Sequence, residues 1–171
     1  MKNLFLTVGA CAAIALSGCS KNNDAAARVN PQDKSILIIA SASNAAEIML
    51  GQLAADSSQT PAIKEFGQMM VSDHTGAEAG LNSVASKYGV SVPGVPNPDH
   101  EKLRQQLLTL KGRQFDSVYI HSQVADHLDA VIQFQTAHDL GNNSELRTYL
   151  VNTLPTLQQH LQQAQALAQD Y

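Results

Sequence analysis

The chain has 171 residues, 44% hydrophobic, 5% aromatic and 15% charged, with a formal charge of −4. That length suits one domain with a real core, and the apolar share excludes a disordered chain. A mildly acidic balance without basic clusters excludes nucleic-acid binding, and the many Ala, Leu and Gln residues favour helix over sandwich or barrel.

Residues 1–18 read as a lipoprotein signal peptide. Lys2 gives a positive start, Leu4 to Leu16 form the apolar stretch, and Leu16-Ser17-Gly18-Cys19 closes it with small residues. The apolar run is too short for a transmembrane anchor. Its last four residues resemble the bacterial lipobox, which implies cleavage before Cys19, lipidation of that Cys, and retention at a membrane through acyl chains. Ser20 in place of Asp favours the outer membrane, facing the periplasm, in a Gram-negative envelope. With Cys11 discarded and Cys19 lipidated, the mature domain has no thiol, which excludes a disulfide framework, a Cys-based metal site and a Cys nucleophile. Residues 19–30 carry the lipid and a polar, aperiodic tether.

The remainder, 31–171, reads as an all-α domain. Asn30-Pro31, Thr60-Pro61 and Asn97-Pro98 each pair a capping side chain with a Pro at the first helical position. Asn143 or Ser144 makes a fourth start after the stop at Gly141, and Gly89 ends the second helix. The first long helix is expected over Gln32 to Ala55, with Ile36, Ile39, Ser43, Ala46, Leu50 and Leu53 facing inward. The second runs from Pro61 to Tyr88 through Ile63, Phe66, Met70, Ala77, Leu81 and Val84. A Pro/Gly-punctuated crossover, Val90 to Asn97, precedes a short helix near Asp99 to Leu110. The third long helix spans Gln114 to Leu140 with Ile120, Val124, Val131 and Phe134 inward. The fourth runs from Ser144 to the end through Leu146, Leu150, Leu157, Ala164 and Leu167, with Pro155 expected to kink or restart it. Tight first and last connections around a long middle one describe a ferritin-like four-helix bundle; an up-down bundle with one long loop is the alternative.

The polar residues in these stripes are the candidates for chemistry. Glu47, His74, His127 and His160 fall one per helix near the inner face, with Glu78 one turn after His74 as a fifth. Imidazole and carboxylate suit zinc, iron, copper or nickel. Asp73-His74 and Asp126-His127 echo one another on different helices, and both Asp residues are candidate hydrogen-bond partners for histidines. Glu47 lies 11 residues before Ser58 and His74 lies 16 after it. That mismatch is about 7 Å at the helical rise, so the candidates occupy one layer or two. The Glu-x-x-His pairs of di-iron bundles are absent, which disfavours di-iron oxidation. No C-x-x-C-H is present, so haem would be non-covalent, with a His and Met49 or Met70 as axial ligands. No catalytic motif stands out, and an enzymatic role is not expected. His100, His121 and His138 are expected in solvated loop or outer positions.

The chain resembles the family of predicted outer-membrane proteins known as domain of unknown function 4142. The resemblance rests on Asp33-x-x-x-Leu37, Glu47-Ile48-x-Leu50-Gly51-x-Leu53-Ala54 and Phe66-Gly67-x-x-Met70-Val71-x-Asp73-His74. It continues through Phe115-Asp116-x-x-Tyr119, Asp126-His127 and Leu154-Pro155-x-Leu157-x-x-His160-Leu161. It implies the ferritin-like bundle and places Glu47, His74, His127 and His160 inside family motifs. Gly67 departs from the usual Ala there, which weakens the local helix. Two functions remain open from the sequence. One is a lipid-anchored structural or interaction module, with envelope proteins as partners and a polar layer that fixes helix register. The other is a metal-binding protein in metal handling or stress protection.

Overall fold

The computed structural model describes residues 29–140 and 143–171; the side chain of Leu140 lies outside that description. The signal peptide, Cys19, most of the tether and Gly141 fall outside the described residues. Five helices follow in order: α1 (Pro31–Ser57), α2 (Pro61–Lys87), α3 (Pro98–Leu108), α4 (Arg113–Leu140) and α5 (Ser144–Ala168).

Three of the four starts are capped as the sequence expects. Asn30 accepts from the Asp33 N–H, Asn97 from those of Asp99 and His100, and Asn143 from those of Glu145 and Leu146. Thr60 makes no side-chain cap; its hydroxyl is turned toward α4 and the chain end, donating to Asp116 Oδ2 at 2.6 Å and accepting from Tyr171 at 3.3 Å. Gly89, at φ +63°, turns the chain out of α2, and the Val90 N–H bonds back to the Ala85 carbonyl at 2.9 Å. Pro155 neither ends nor restarts α5. It lies on the solvent side, where water can take the bond that the Val151 carbonyl loses.

α1 packs on α2, α4 on α5, and the pairs meet through α2 with α5 and α1 with α4. Asp116, at the start of α4, bonds Ser58 and Thr60 in the α1–α2 turn, and Tyr171, just past α5, reaches the same point. Lys87 at the end of α2 pairs with Glu145 at the start of α5, 2.7 Å apart. The chain between α2 and α4 therefore travels the length of the bundle, carrying α3, and α2 and α4 run parallel across the diagonal. That is the ferritin-like connection, not an up-down bundle.

The inner face of α1 is turned partway from the expected one. Ala46 and Leu50 are buried as expected and Ile36 and Leu53 pack half-buried against the core, but Leu37, Ala40, Ser41, Asn44, Glu47, Gly51 and Ala54 are buried too, whereas Ile39 is 49% exposed. The expectation followed the largest apolar residues; the bundle instead takes in Asp33, Ser41, Asn44 and Glu47, which have polar partners or neighbours inside. α1 is also long and apolar enough to cross a membrane, but here it carries those polar residues into a bundle core. Gly67 has a packing role that the sequence reading missed. A Cβ there would sit 2.6 Å from the Gly51 carbonyl oxygen, and one on Gly51 would sit 2.7 Å from that of Gly67. The two glycines let α1 and α2 touch backbone to backbone.

The core is divided in two. One apolar cluster holds Leu37, Leu81, Phe134, Leu146, Tyr149, Leu150 and Leu157; the other holds Leu50, Ile63, Phe66, Met70, Leu107, Phe115, Tyr119 and Ile120. Between them along α1, α2, α4 and α5 come Asn44, Glu47, His74, Gln123, His127 and His160, all buried.

Candidate three-histidine centre

His74 on α2, His127 on α4 and His160 on α5 meet at the centre of this layer. Their ring centroids are 5.2–5.6 Å apart, and one ring nitrogen from each lies within 4.8 Å of the other two. All three residues are at least 96% buried.

Each ring has one nitrogen committed and one left over. Asn44 Nδ2 donates to Glu78 Oε2 at 3.1 Å, which turns the Asn44 carbonyl oxygen toward His74 Nδ1 at 3.0 Å. The Gln123 backbone carbonyl stands 3.0 Å from His127 Nδ1, and Asp73 Oδ2 stands 2.9 Å from His160 Nε2. All three partner oxygens can only accept, so each ring donates there. The proton is thereby fixed on His74 Nδ1, His127 Nδ1 and His160 Nε2. The opposite nitrogens, His74 Nε2, His127 Nε2 and His160 Nδ1, are buried with no hydrogen-bond partner. Each of the three clustered rings thus keeps one buried lone pair with no donor.

The electrostatics keep the rings neutral. Burial, with His127 and His160 alongside, drives His74 down to about 3. Burial also lowers His127, against the pull of the Gln123 carbonyl, and lowers His160 against the hydrogen bond that it donates to Asp73. Neutral imidazoles with oriented lone pairs are what a transition-metal ion needs, and carbonyl or carboxylate partners on the far nitrogen are the usual second layer of such sites.

Glu47 is not in this group. It lies in the same layer beside Gln123, Asp126 and His100, and burial plus the Asp126 charge raise its carboxyl to about 8. Glu78 is committed to Ser41, at 2.8 Å, and to Asn44; it orients the ligand set from outside it. Met49 and Met70 belong to the second apolar cluster, Met70 buried in it and Met49 packed half-buried against it. The echoed Asp residues serve parallel roles, each pairing with a histidine from another helix: Asp73 with His160, and Asp126 with His100 at 3.4 Å.

His100 corrects the expectation of a solvated loop residue. It sits in the first turn of α3 with its side chain 15% exposed, and the Asp126 hydrogen bond, with Glu47 and Asp99 nearby, raises its pKa. That placement is tertiary, set by the crossover, and no local pattern around His100 signals it. His121 is exposed, and His138 is half-buried with its side chain 41% exposed. A cleft of about 370 Å³ between α1, α3 and α4 reaches the layer from the surface, lined by Glu47, His74, His100, Asp126 and His127 among others.

Fold and site together define a ferritin-like helical bundle with a buried tri-imidazole layer. The chain belongs to the family described as a domain of unknown function, DUF4142, which it matches over residues 19–167. Among solved structures it is similar to the DUF305 fragment from Deinococcus radiodurans, with a TM-score of 0.74, 13% identity, and coverage of 84% of this chain and 99% of that one. It is also similar to CopM in its Cu(II)-bound form (TM-score 0.69, 14% identity) and its Ag-bound form (TM-score 0.67, 15% identity). Both of these cover 81% of this chain and 96% of the other. At such identities the likeness concerns the fold. No curated protein matches the chain in sequence.

Proposed function

We propose that this is a metal-binding protein of the bacterial cell envelope, which holds one copper ion on His74, His127 and His160 for sequestration or delivery. The observation that carries the reading is a cluster of three buried rings, each with one unpartnered nitrogen, that bring one nitrogen apiece within 4.8 Å of the other two. A purely structural polar layer would be expected to satisfy its members from one another, since each orphaned buried group costs about 1–3 kcal/mol. Copper is favoured because a neutral, all-imidazole set suits it over harder ions. CopM, similar in fold, was seen in Cu(II)-bound and Ag-bound forms, which supports the same choice. The alternative, a register-fixing module with no ligand, leaves the three free nitrogens without a role.

The lipobox resemblance extends the proposal to location: an outer-membrane lipoprotein tethered through Cys19, with the bundle in the periplasm. The family match begins at residue 19, where this reading places the mature N-terminus. In that position the protein would meet incoming metal before the inner membrane does, and a lipid tether would keep it there.

The test is a Cu(I) competition titration of the full chain in detergent, untagged and with its thiols alkylated beforehand. One tightly held equivalent is expected, and it should disappear in His74→Ala and in His127→Ala. Less than about one-tenth of an equivalent in the unaltered protein, after reduction and reconstitution, would contradict the reading. For the anchor, Cys19→Ser should release the protein from membranes; persistent membrane association would refute lipidation.

A further inference from the structure

The three histidines are at least 96% buried, so anything that reaches them from solvent needs part of the bundle to give way. The cleft between α1, α3 and α4 has His74 and His127 among its walls, and His160 is not one of them. Asn97, Asp99, His100 and Leu103, from the first half of α3 and its cap, form another wall. That half is held far more lightly than the other. Leu107 is fully buried in the apolar cluster of Leu50, Phe115 and Tyr119, with Leu103 and Leu110 packed against the same cluster. The first turn is tied to α4 through His100 Nε2 and Asp126 Oδ1, 3.4 Å apart, which is long for a hydrogen bond. His100 Nδ1 and Asp126 Oδ2 have no partner, and Asp99 bonds within α3, to Lys102. Upstream, the crossover is pinned by the buried Val90 and by the Gly94 N–H, which donates to Ser41 at 3.1 Å. Val95, the next residue, is 56% exposed. Gly94 itself stands at φ +59°, a region that glycine enters and leaves at no steric cost.

We propose that the first turn of α3 is a gate to the histidine layer, hinged at Gly94 and at the seat of Leu107, and latched by the His100–Asp126 contact. One long ion pair places that turn at the low end of local stability, while the layer behind it belongs to the core. Opening widens the cleft toward His74 and His127 and leaves α2, α4 and α5, which carry the three rings, where they are. A gate of this kind sets how fast the layer exchanges with solvent and leaves its final geometry alone. Copper loading and copper release therefore change together, and affinity stays constant. The proposal rests on the copper reading for what passes the gate; the opening itself belongs to the metal-free chain.

The experiment is carbethoxylation of the metal-free full chain by diethyl pyrocarbonate, in detergent and with alkylated thiols, followed at each histidine by mass spectrometry. Circular dichroism confirms the fold of every variant. In the unaltered protein His74 and His127 should react roughly tenfold or more slowly than the exposed His121. His100→Leu keeps the bulk of the wall and removes the latch; it should speed His74 and His127 about threefold, with His121 and His160 unchanged. His100→Gln can still bond Asp126 and should restore most of the protection. Unchanged rates in His100→Leu overturn the gate. So does an equal rise at His160, which would mean a general loosening of the bundle. In a second arm, Cu(I) loading and its removal by a competing chelator should both quicken in His100→Leu by the same factor. A changed affinity there would assign His100 to the binding site and overturn its role as a latch. If the unaltered chain takes up no copper, the copper reading fails, and the modification rates still decide whether the gate exists.

Discussion

Two buried polar regions of this bundle are built on opposite principles. At the α1–α2 turn, Asp116 accepts from Ser58 at 2.6 Å on one oxygen, and from Thr60 at 2.6 Å and Tyr171 at 3.2 Å on the other. Every hydroxyl that reaches it donates, and the cluster ties α4 and the chain end to the first hairpin. Halfway along the bundle, His74, His127 and His160 each satisfy one nitrogen and leave the other bare. The saturated cluster is architecture. The unsaturated one, equally buried, is the one proposed to take a ligand from outside the chain.

The largest effect that would sharpen this contrast is at the saturated end. Asp116→Ala removes the shared acceptor of three buried or half-buried hydroxyls, leaving Ser58 and Tyr171 only their longer bonds to Thr60, and should cost about 3 kcal/mol in urea unfolding, with copper stoichiometry unchanged. A loss of copper with preserved stability would break the distinction. Gly67→Ala should follow at about 2 kcal/mol, since the added methyl would overlap the Gly51 carbonyl and part α1 from α2. Because that contact also levels Asn44 with His74, copper affinity should fall as well.

Smaller still is the loss of an orienting group. Asp73→Asn exchanges the carboxylate behind His160 for an amide and should weaken copper binding roughly tenfold or more, at little cost to the metal-free fold. Smallest is His127→Leu in the metal-free protein, expected within about 1 kcal/mol of the unaltered chain, because it removes one hydrogen bond and one unsatisfied nitrogen together. Equal destabilisation by His127→Leu and Asp116→Ala would place the two clusters in the same class.

Acid and base act on the metal-free layer with opposite sign. His74 titrates near 3 in the fold against 6.5 in the open chain, so unfolding takes up a proton between those values. Its contribution to stability is complete above pH 6.5 and shrinks as pH falls toward 3. Glu47 titrates near 8 against 4.5, so the fold holds the proton. Its contribution is complete below pH 4.5 and is lost as pH rises through 8. A thermal-melting profile of the metal-free protein should therefore fall on both sides, with Glu47→Gln flattening the alkaline limb and His74→Leu the acidic one.

The bundle was legible because its signals are local. Asn-Pro starts, Gly89 and 3–4 spacing on α2 and α5 each act within a turn or two of helix. Legibility failed where a distant residue decides. Thr60 has the form of a cap, yet Asp116 takes its hydroxyl. The face of α1 turned because polar residues won the interior. Gly67 looks like a weak helix position until Gly51 is laid against it. For the site, three histidines on inner stripes could be picked out, but their common height could not, since the crossover sets how the second hairpin slides against the first. His100 was missed for the same reason.

If the copper site is as proposed, three imidazoles and nothing softer hold the ion. X-ray absorption on the copper-loaded full chain, thiols alkylated, reads those neighbours atom by atom. Nitrogen neighbours alone, with the multiple-scattering pattern of three imidazoles, are expected. A sulfur neighbour, or an oxygen shell without imidazole scattering, would contradict it.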